Sequence, residues 1–289
     1  MRELIRSAVE VLEGSEVPRP QWTAEQLLAH RAGCLPVELY AEPPELDGKQ
    51  ATRFLADVAA RAAGVPLQYL MGTAAFYGRD FFVGPGVFNP RPETEVLVEM
   101  ALVHLGSSLR AVSAPSDGIG HSVPHVVDVG AGSGAIAVTL ALERPGLLVT
   151  GVERSEIALS FARRNAEALG ADVRLIRGNL LEPVAPASAD LIVANLPYLD
   201  PEESGKWPRE LHWEPWLALD GGADGMDVIR ELLSAAGPML VSGGRVILEV
   251  GMGQVEPVCD FAEERGLRVV HVSRDLAGID RVVVLQPEG

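Results

Sequence analysis

Basic residues are scarce in this chain: 24 Lys and Arg stand against 40 Asp and Glu, a formal net charge of -16. That balance excludes non-specific binding to nucleic acid, which rests on clustered cations displacing counterions from phosphates. Free DNA or RNA is therefore not expected as a partner. Cysteine is scarcer still. Cys34 and Cys259 lie far apart in helix-like segments, without the paired spacing of metal or redox motifs, and both are expected as buried thiols. The six histidines are scattered, and the one close pair, His121 and His125, falls in a Ser/Pro/Gly-rich stretch rather than on a helix face, so no metal site is expected. A long apolar run is also missing at the N-terminus, where Met1-Arg-Glu-Leu-Ile-Arg6 opens an acidic amphipathic pattern instead of a signal or membrane segment. A cytoplasmic location away from membranes is expected. What is present is 289 residues, enough for one large α/β domain and a smaller one.

The first part of the chain, to about residue 72, carries helical periodicity at 3–12, at 23–32 with Thr23 as its expected N-cap, and at 49–63. It offers few polar groups suited to chemistry, which leaves a docking module or a stabilising cap. Phe76-Tyr77-Gly78-Arg79-Asp80-Phe81-Phe82-Val83 then sets two aromatic runs around a Gly-Arg-Asp turn and predicts a β-hairpin between two domains. In Asn89-Pro90-Arg91-Pro92-Glu93-Thr94-Glu95, two prolines stiffen the approach to a helix whose acidic first turn complements its dipole. A flexible connection is expected over 106–125.

Beyond it, apolar runs at 126–129, 148–152, 173–176 and 191–194 alternate with helical patterns at 135–142 and 156–169. A helix at 227–236, a strand at 246–250, a helix at 255–265 and strands at 269–272 and 282–285 follow, the last two placed to form an antiparallel hairpin at a sheet edge. The pattern is a doubly wound α/β sheet. Finished by such a hairpin, it is the arrangement typical of S-adenosylmethionine methyltransferases rather than of nicotinamide enzymes.

Two stretches of that sheet carry chemistry. Val126-Val-Asp128-Val-Gly130-Ala131-Gly132-Ser133-Gly134-Ala135 puts a glycine-rich turn between the first strand and its helix, where a ligand can lie against bare backbone. These glycines alone do not separate a nicotinamide cofactor from S-adenosyl-L-methionine. Glu153, at the end of the next strand, can accept hydrogen bonds from both hydroxyls of a ribose, which suits either. After the third strand, Asn179 is placed to address an adenine edge and Leu180 to pack on its face. The second stretch is Asp190-Leu-Ile-Val-Ala-Asn195-Leu196-Pro197-Tyr198, a buried strand ending in a stiff polar turn. The open carboxyl end of a parallel strand is where a ligand reaches side chains on a rigid base. There Asn195 offers an acceptor and two donors, Pro197 fixes the backbone, and Tyr198 supplies a flat ring with a polar tip, a set fit to grip a planar amide or amine.

Phe76-Tyr77-Gly78, 89–95, 128–134, 195–198, Glu214-Pro-Trp-Leu-Ala-Leu219 and Arg274-Asp-Leu-Ala-Gly278 together resemble the bacterial N5-glutamine methyltransferases of peptide chain release factors, the HemK or PrmC family. The resemblance covers nearly the whole length. It implies a Rossmann-like class I S-adenosylmethionine-dependent methyltransferase with a seven-stranded sheet: a helical docking domain (1–72), a hairpin linker (73–91) and the methyltransferase domain (92–289). It implies S-adenosyl-L-methionine as cofactor and, as substrate, the glutamine of the Gly-Gly-Gln motif of release factors. In it the catalytic set is Asn195, Leu196, Pro197 and Tyr198, with the Asn195 side-chain oxygen and the Leu196 carbonyl accepting the two amide N–H bonds and Tyr198 walling the pocket. Cofactor binding falls to residues 130–134, Glu153, Asn179, Leu180 and Asn195. Leu196 departs from the family pattern Asn-Pro-Pro-Tyr, Asn89 stands where an aliphatic residue is usual, and Leu180 stands where some members carry an aromatic ring. A monomer is expected. Two other readings stay open at this stage: an adenine-N6 methyltransferase of nucleic acid, whose amino group presents the same planar geometry, and a cofactor-binding relative that has lost catalysis.

Overall fold

A computed structural model describes residues 1–112 and 123–288. His121 and half of the connection expected over 106–125 lie outside these residues; of the rest, 106–112 continue a helix and His125 opens a strand, so the expectation of a connection fails there. The chain divides into two compact units. One comprises Met1–Ala74, Val83–Pro85 and Trp207–Glu214, the other Ala75–Phe82, Gly86–Lys206 and Pro215–Gly289.

The first unit is built on helices α1 (Arg2–Gly14), α2 (Pro20–Ala32), α3 (Glu38–Ala41), α4 (Gly48–Ala62) and α5 (Leu67–Met71). Ile5, Ala8 and Leu12 of α1 meet Leu27 and Leu28 of α2 and Phe54 and Val58 of α4 in one apolar cluster, the i, i+3, i+4 stripes that amphipathic helices bury. A capping box opens α4, with Asp47 accepting from the Gln50 N–H and the Gln50 side chain accepting from the Asp47 N–H. Thr23 is not the cap of α2. Pro20 starts that helix at its first position, where no N–H is needed, and Thr23 sits a turn inside with its hydroxyl donating to the Pro18 carbonyl at 3.4 Å. The 207–214 segment belongs to this unit through Arg61, which is buried, pairs with Glu210 and donates to the Val65 carbonyl.

The hairpin is present with a different turn. Strands β1 (Thr73–Phe76) and β2 (Arg79–Phe82) flank Tyr77-Gly78, whose φ values of 49° and 73° give the twist a two-residue hairpin loop requires. Arg79 and Asp80, expected in the turn, therefore lie in the second strand.

In the second unit a 3-10 turn (Pro92–Thr94) leads into α6 (Glu95–Val112), and the sheet alternates with helices: β3 (His125–Val129), α7 (Ala135–Glu143), β4 (Leu148–Glu153), α8 (Glu156–Leu169), β5 (Arg174–Arg177), β6 (Ala189–Asn195), α9 (Asp227–Met239), β7 (Leu240–Glu249), α10 (Val255–Glu264), β8 (Leu267–Arg274) and β9 (Asp280–Pro287). The order is β5-β4-β3-β6-β7-β9-β8, with β9 antiparallel between β7 and β8. Both faces are covered, as a parallel sheet requires. Along β6 and one residue past it, Ile192, Ala194 and Leu196 enter the cluster shared with α9 and α10, whereas Leu191 and Val193 enter the one shared with α6 and α7. Short 3-10 turns at Pro201–Lys206 and Trp216–Ala218 follow β6, and the one between them in sequence, Arg209–Trp213, belongs to the first unit; the segment has no apolar periodicity to announce it. Cys34 and Cys259 are half-buried rather than buried, each at the rim of an apolar cluster. Among the described residues, no helix is long and apolar enough to cross a membrane and no cluster of side chains is suited to a metal ion.

Candidate active site

The strand order brings the chemistry-bearing stretches to one edge, because β4, β3, β6 and β7 are adjacent and parallel and all end at the same side of the sheet. The glycine loop after β3 is held from beneath: the Gly130 and Ala131 N–H groups both donate to the Val152 carbonyl, at 2.9 and 3.0 Å. Gly130 has φ 77°, and a Cβ there would stand 3.1 Å from the Leu196 Cδ2. Gly134 opens α7 at φ 81°, and its missing Cβ lets α7 approach Ala162 of α8. Ser133 is buried, and its carbonyl accepts from the Asn165 side chain at 2.8 Å. Asn165 also exchanges hydrogen bonds with both backbone groups of Phe82, so one buried amide ties β2 to the loop. Nothing in the local sequence pattern marks Asn165, which lies on the buried side of an ordinary helix.

Glu153 ends β4 and is 9% exposed. Its Oε2 accepts from the Gly132 N–H at 2.8 Å and its Oε1 from the Ser155 N–H at 2.7 Å. The carboxylate is thus fixed beside the loop, and each oxygen retains a lone pair for a further donor. This fits the pair of ribose hydroxyls of S-adenosylmethionine. Beyond β5, the Asn179 Nδ2 donates to Glu231 at 3.0 Å, and Leu180 adopts the left-handed conformation at φ 46° and packs on the cluster of α9. Asp128, at the root of the loop, is fully buried; its Oδ2 accepts from the Ala137 N–H at 3.0 Å, and burial pushes its carboxyl up to about 7.

Asn195 ends β6, and its Nδ2 donates to the Thr94 hydroxyl at 3.0 Å. That contact sets the orientation of the side-chain amide and turns Oδ1 away from Thr94 as an acceptor. Leu196, expected to act through its backbone, also has a structural side chain: it is 5% exposed and packs in the core against Gly130. Tyr198 is tethered through its carbonyl, which accepts from the Gln254 Nε2 at 3.0 Å, while the Gln254 Oε1 accepts from the Gly251 N–H at 2.8 Å. Gly225 is obligatory beside this tether, since its Cβ would come within 2.3 Å of the Tyr198 carbonyl oxygen. Burial, first, and the nearby Glu249 carboxylate push the Tyr198 hydroxyl up, so it stays protonated and able to donate.

Glu249 escaped the sequence reading, as did the role of Thr94. Glu249 is the register partner of Asn195 on β7 and has the strand parity of Ile247, so it points to the face from which Thr94 approaches. The available signal was a carboxylate closing the apolar run Val246-Ile-Leu, beside the motif strand. It is 2% exposed; burial pushes it up to about 7 against the opposing pull of the Thr94 hydroxyl, Arg281 and the Tyr198 hydroxyl.

A seven-stranded sheet with this order, a glycine loop after its first strand and a carboxylate after its second define a class I S-adenosylmethionine-dependent methyltransferase. A methyltransferase from Pyrococcus furiosus shares the fold at a TM-score of 0.52 and 18% identity, over 84% of this chain and 100% of that one. Sequence profiles for the PrmC N-terminal domain and the methyltransferase small domain match residues 3–72 and 115–207. Release factor glutamine methyltransferases align along most of the chain: that of Koribacter versatilis is 37% identical, covering 98% of this chain and 97% of its own, and that of Bacillus subtilis 38% identical, covering 93% and 92%. The chain belongs to the release factor glutamine methyltransferase family.

Proposed function

We propose that this protein transfers a methyl group from S-adenosylmethionine to the side-chain amide nitrogen of the glutamine in the Gly-Gly-Gln motif of peptide chain release factors. The observation that carries the reading is the fixed Asn195 amide, its Nδ2 committed to Thr94 at 3.0 Å, on the strand beside the glycine loop. A glutamine nitrogen is a poor nucleophile because its lone pair is delocalised into the carbonyl, so the site must orient it and favour the charge that develops on it. The cofactor supplies, when bound, an activated methyl group. Asn195 Oδ1 and the Leu196 carbonyl accept the two N–H bonds of the substrate amide, Pro197 holds the turn, and Tyr198 walls the pocket. Well-oriented reactants gain on the order of 7–11 kcal/mol from proximity, and preorganised acceptors add to it as charge develops. Residues 130–134, Glu153, Asn179, Leu180 and Asn195 hold the cofactor.

The helical unit serves as the docking surface for the intact release factor, and the protein acts in the cytoplasm as a monomer, on a protein rather than on free nucleic acid. The test is Asn195→Ala. Cofactor affinity stays within about tenfold and methyl transfer is lost; unchanged turnover by this variant would defeat the assignment.

A further inference from the structure

We propose that Glu249 is a positioning residue for this reaction: its carboxylate draws the Thr94 hydroxyl proton, so that Thr94 accepts from Asn195 and Asn195 presents its oxygen to the substrate amide. The inference rests on the proposed reaction for its purpose but not for its geometry. Thr94 has a single hydroxyl proton. Because its oxygen accepts from the Asn195 Nδ2, that proton must go elsewhere, and the Glu249 carboxyl faces it. The Tyr198 hydroxyl faces the same carboxyl from the other flank of the motif. One buried acceptor thereby orders both ends of the Asn195–Tyr198 turn.

The arrangement has two states. With Glu249 ionised, Thr94 and Tyr198 both donate to it and Asn195 is locked with Oδ1 toward the substrate. With Glu249 protonated, the acid can donate to the Thr94 oxygen, the Thr94 proton turns to Asn195, and the amide gains by flipping so that its oxygen accepts there. Nδ2 then faces the substrate's own N–H groups, donor against donor. The Glu249 Oε2, buried without a hydrogen-bond partner, is the natural seat of that proton. The groups that set the balance come from every neighbouring element: Thr94 and Glu93 of the 3-10 turn, Tyr198 after β6, and Arg281 of β9. Arg281 is itself held by Asp275, at 3.0 Å. Glu93 opposes ionisation, whereas the hydroxyls and Arg281 favour it.

The first measurement needs no substrate: side-chain amide signals of Asn195 in asparagine-labelled full-length protein are followed by NMR as pH is varied. The signals are expected to move with a midpoint near 7, and Glu249→Gln is expected to abolish that titration. In release factor methylation, wild-type kcat rises with pH through the same midpoint and, one unit below it, is about tenfold under its high-pH plateau, as the ionised fraction is. Glu249→Gln gives a lower kcat that is flat over the range, with KM and cofactor affinity within about twofold; Thr94→Val behaves alike and Thr94→Ser restores the wild-type profile. Asn195 signals that ignore pH in the wild type, or a Glu249→Gln enzyme with wild-type kcat and pH profile, would overturn the proposal. A wild-type protein inert toward release factors would sink the proposed substrate instead, and the NMR titration would still decide the role of Glu249.

Discussion

Replacing Glu153 by alanine probes the cofactor site at its most constrained point. Both oxygens of this carboxylate are already fixed, by the Gly132 and Ser155 N–H groups at 2.8 and 2.7 Å, so its remaining lone pairs point in set directions. A hydrogen bond to a charged acceptor contributes about 1.5–3 kcal/mol. Loss of one such bond to a ribose hydroxyl therefore weakens S-adenosylmethionine binding by about 10- to 150-fold, since each 1.4 kcal/mol is a factor of ten. Glu153→Gln is predicted to do nearly as much harm: the amide keeps one acceptor, but its NH2 meets a backbone N–H where a carboxylate oxygen had been. The loop also loses stability, because the Gly132 and Ser155 N–H groups are left without an acceptor at a cost of about 1–3 kcal/mol. Calorimetry with S-adenosylhomocysteine, at a temperature where circular dichroism shows each variant folded, reads the affinity. A folded Glu153→Ala protein with wild-type Kd would refute the placement of the ribose.

Leu196→Pro restores the turn's missing ring but removes a side chain that packs in the core and against Gly130. Its kcat should change by no more than about tenfold, about 1.4 kcal/mol, with a lowered Tm from the lost packing; restoration of an otherwise inert enzyme by several orders of magnitude would mark the chain as degenerate. If the helical unit docks the release factor, Leu35→Ser with Val37→Ser, which alters side chains 64% and 67% exposed, should raise KM for intact release factor while leaving that for a short Gly-Gly-Gln peptide unaffected; the same change in KM for both substrates, or none for either, would remove the docking role. Asp128 is pushed up to about 7 in the folded protein from an ordinary value near 3.8, so the folded state binds its proton more tightly than the unfolded state does. Its contribution to stability is then full below about 4 and falls as pH rises to 7, by a few kcal/mol. Denaturant titrations should show Asp128→Asn losing less stability than wild type across that window, and parallel losses would contradict the assignment.

The sheet was legible because strands buried on both faces leave uninterrupted apolar runs, as in Leu191-Ile-Val-Ala194, and because glycines mark where β3 turns into α7. Ends were harder. At α2, Pro20 rather than Thr23 sets the start, since a missing N–H at the first helical position outweighs a hydroxyl three residues later. At the hairpin, Tyr77 takes a positive φ that its aromatic character does not suggest, and Gly78 alone hinted at it. The site was half legible: Asn195 and Glu153 stand at the ends of strands recognisable from their own neighbours. Glu249 and Thr94 do not, because they meet Asn195 only through the pairing of β6 with β7 and the return of the chain before α6, relations that no local pattern encodes.

The central claim is methyl transfer to one amide nitrogen, and mass spectrometry of release factors after incubation with this protein and S-adenosylmethionine tests it most directly. The Gly-Gly-Gln peptide should gain the mass of one methyl group, fragmentation should place it on the glutamine, and Asn195→Ala should produce none. A peptide left unmodified by the folded, cofactor-binding wild type, or modified equally by Asn195→Ala, would contradict it.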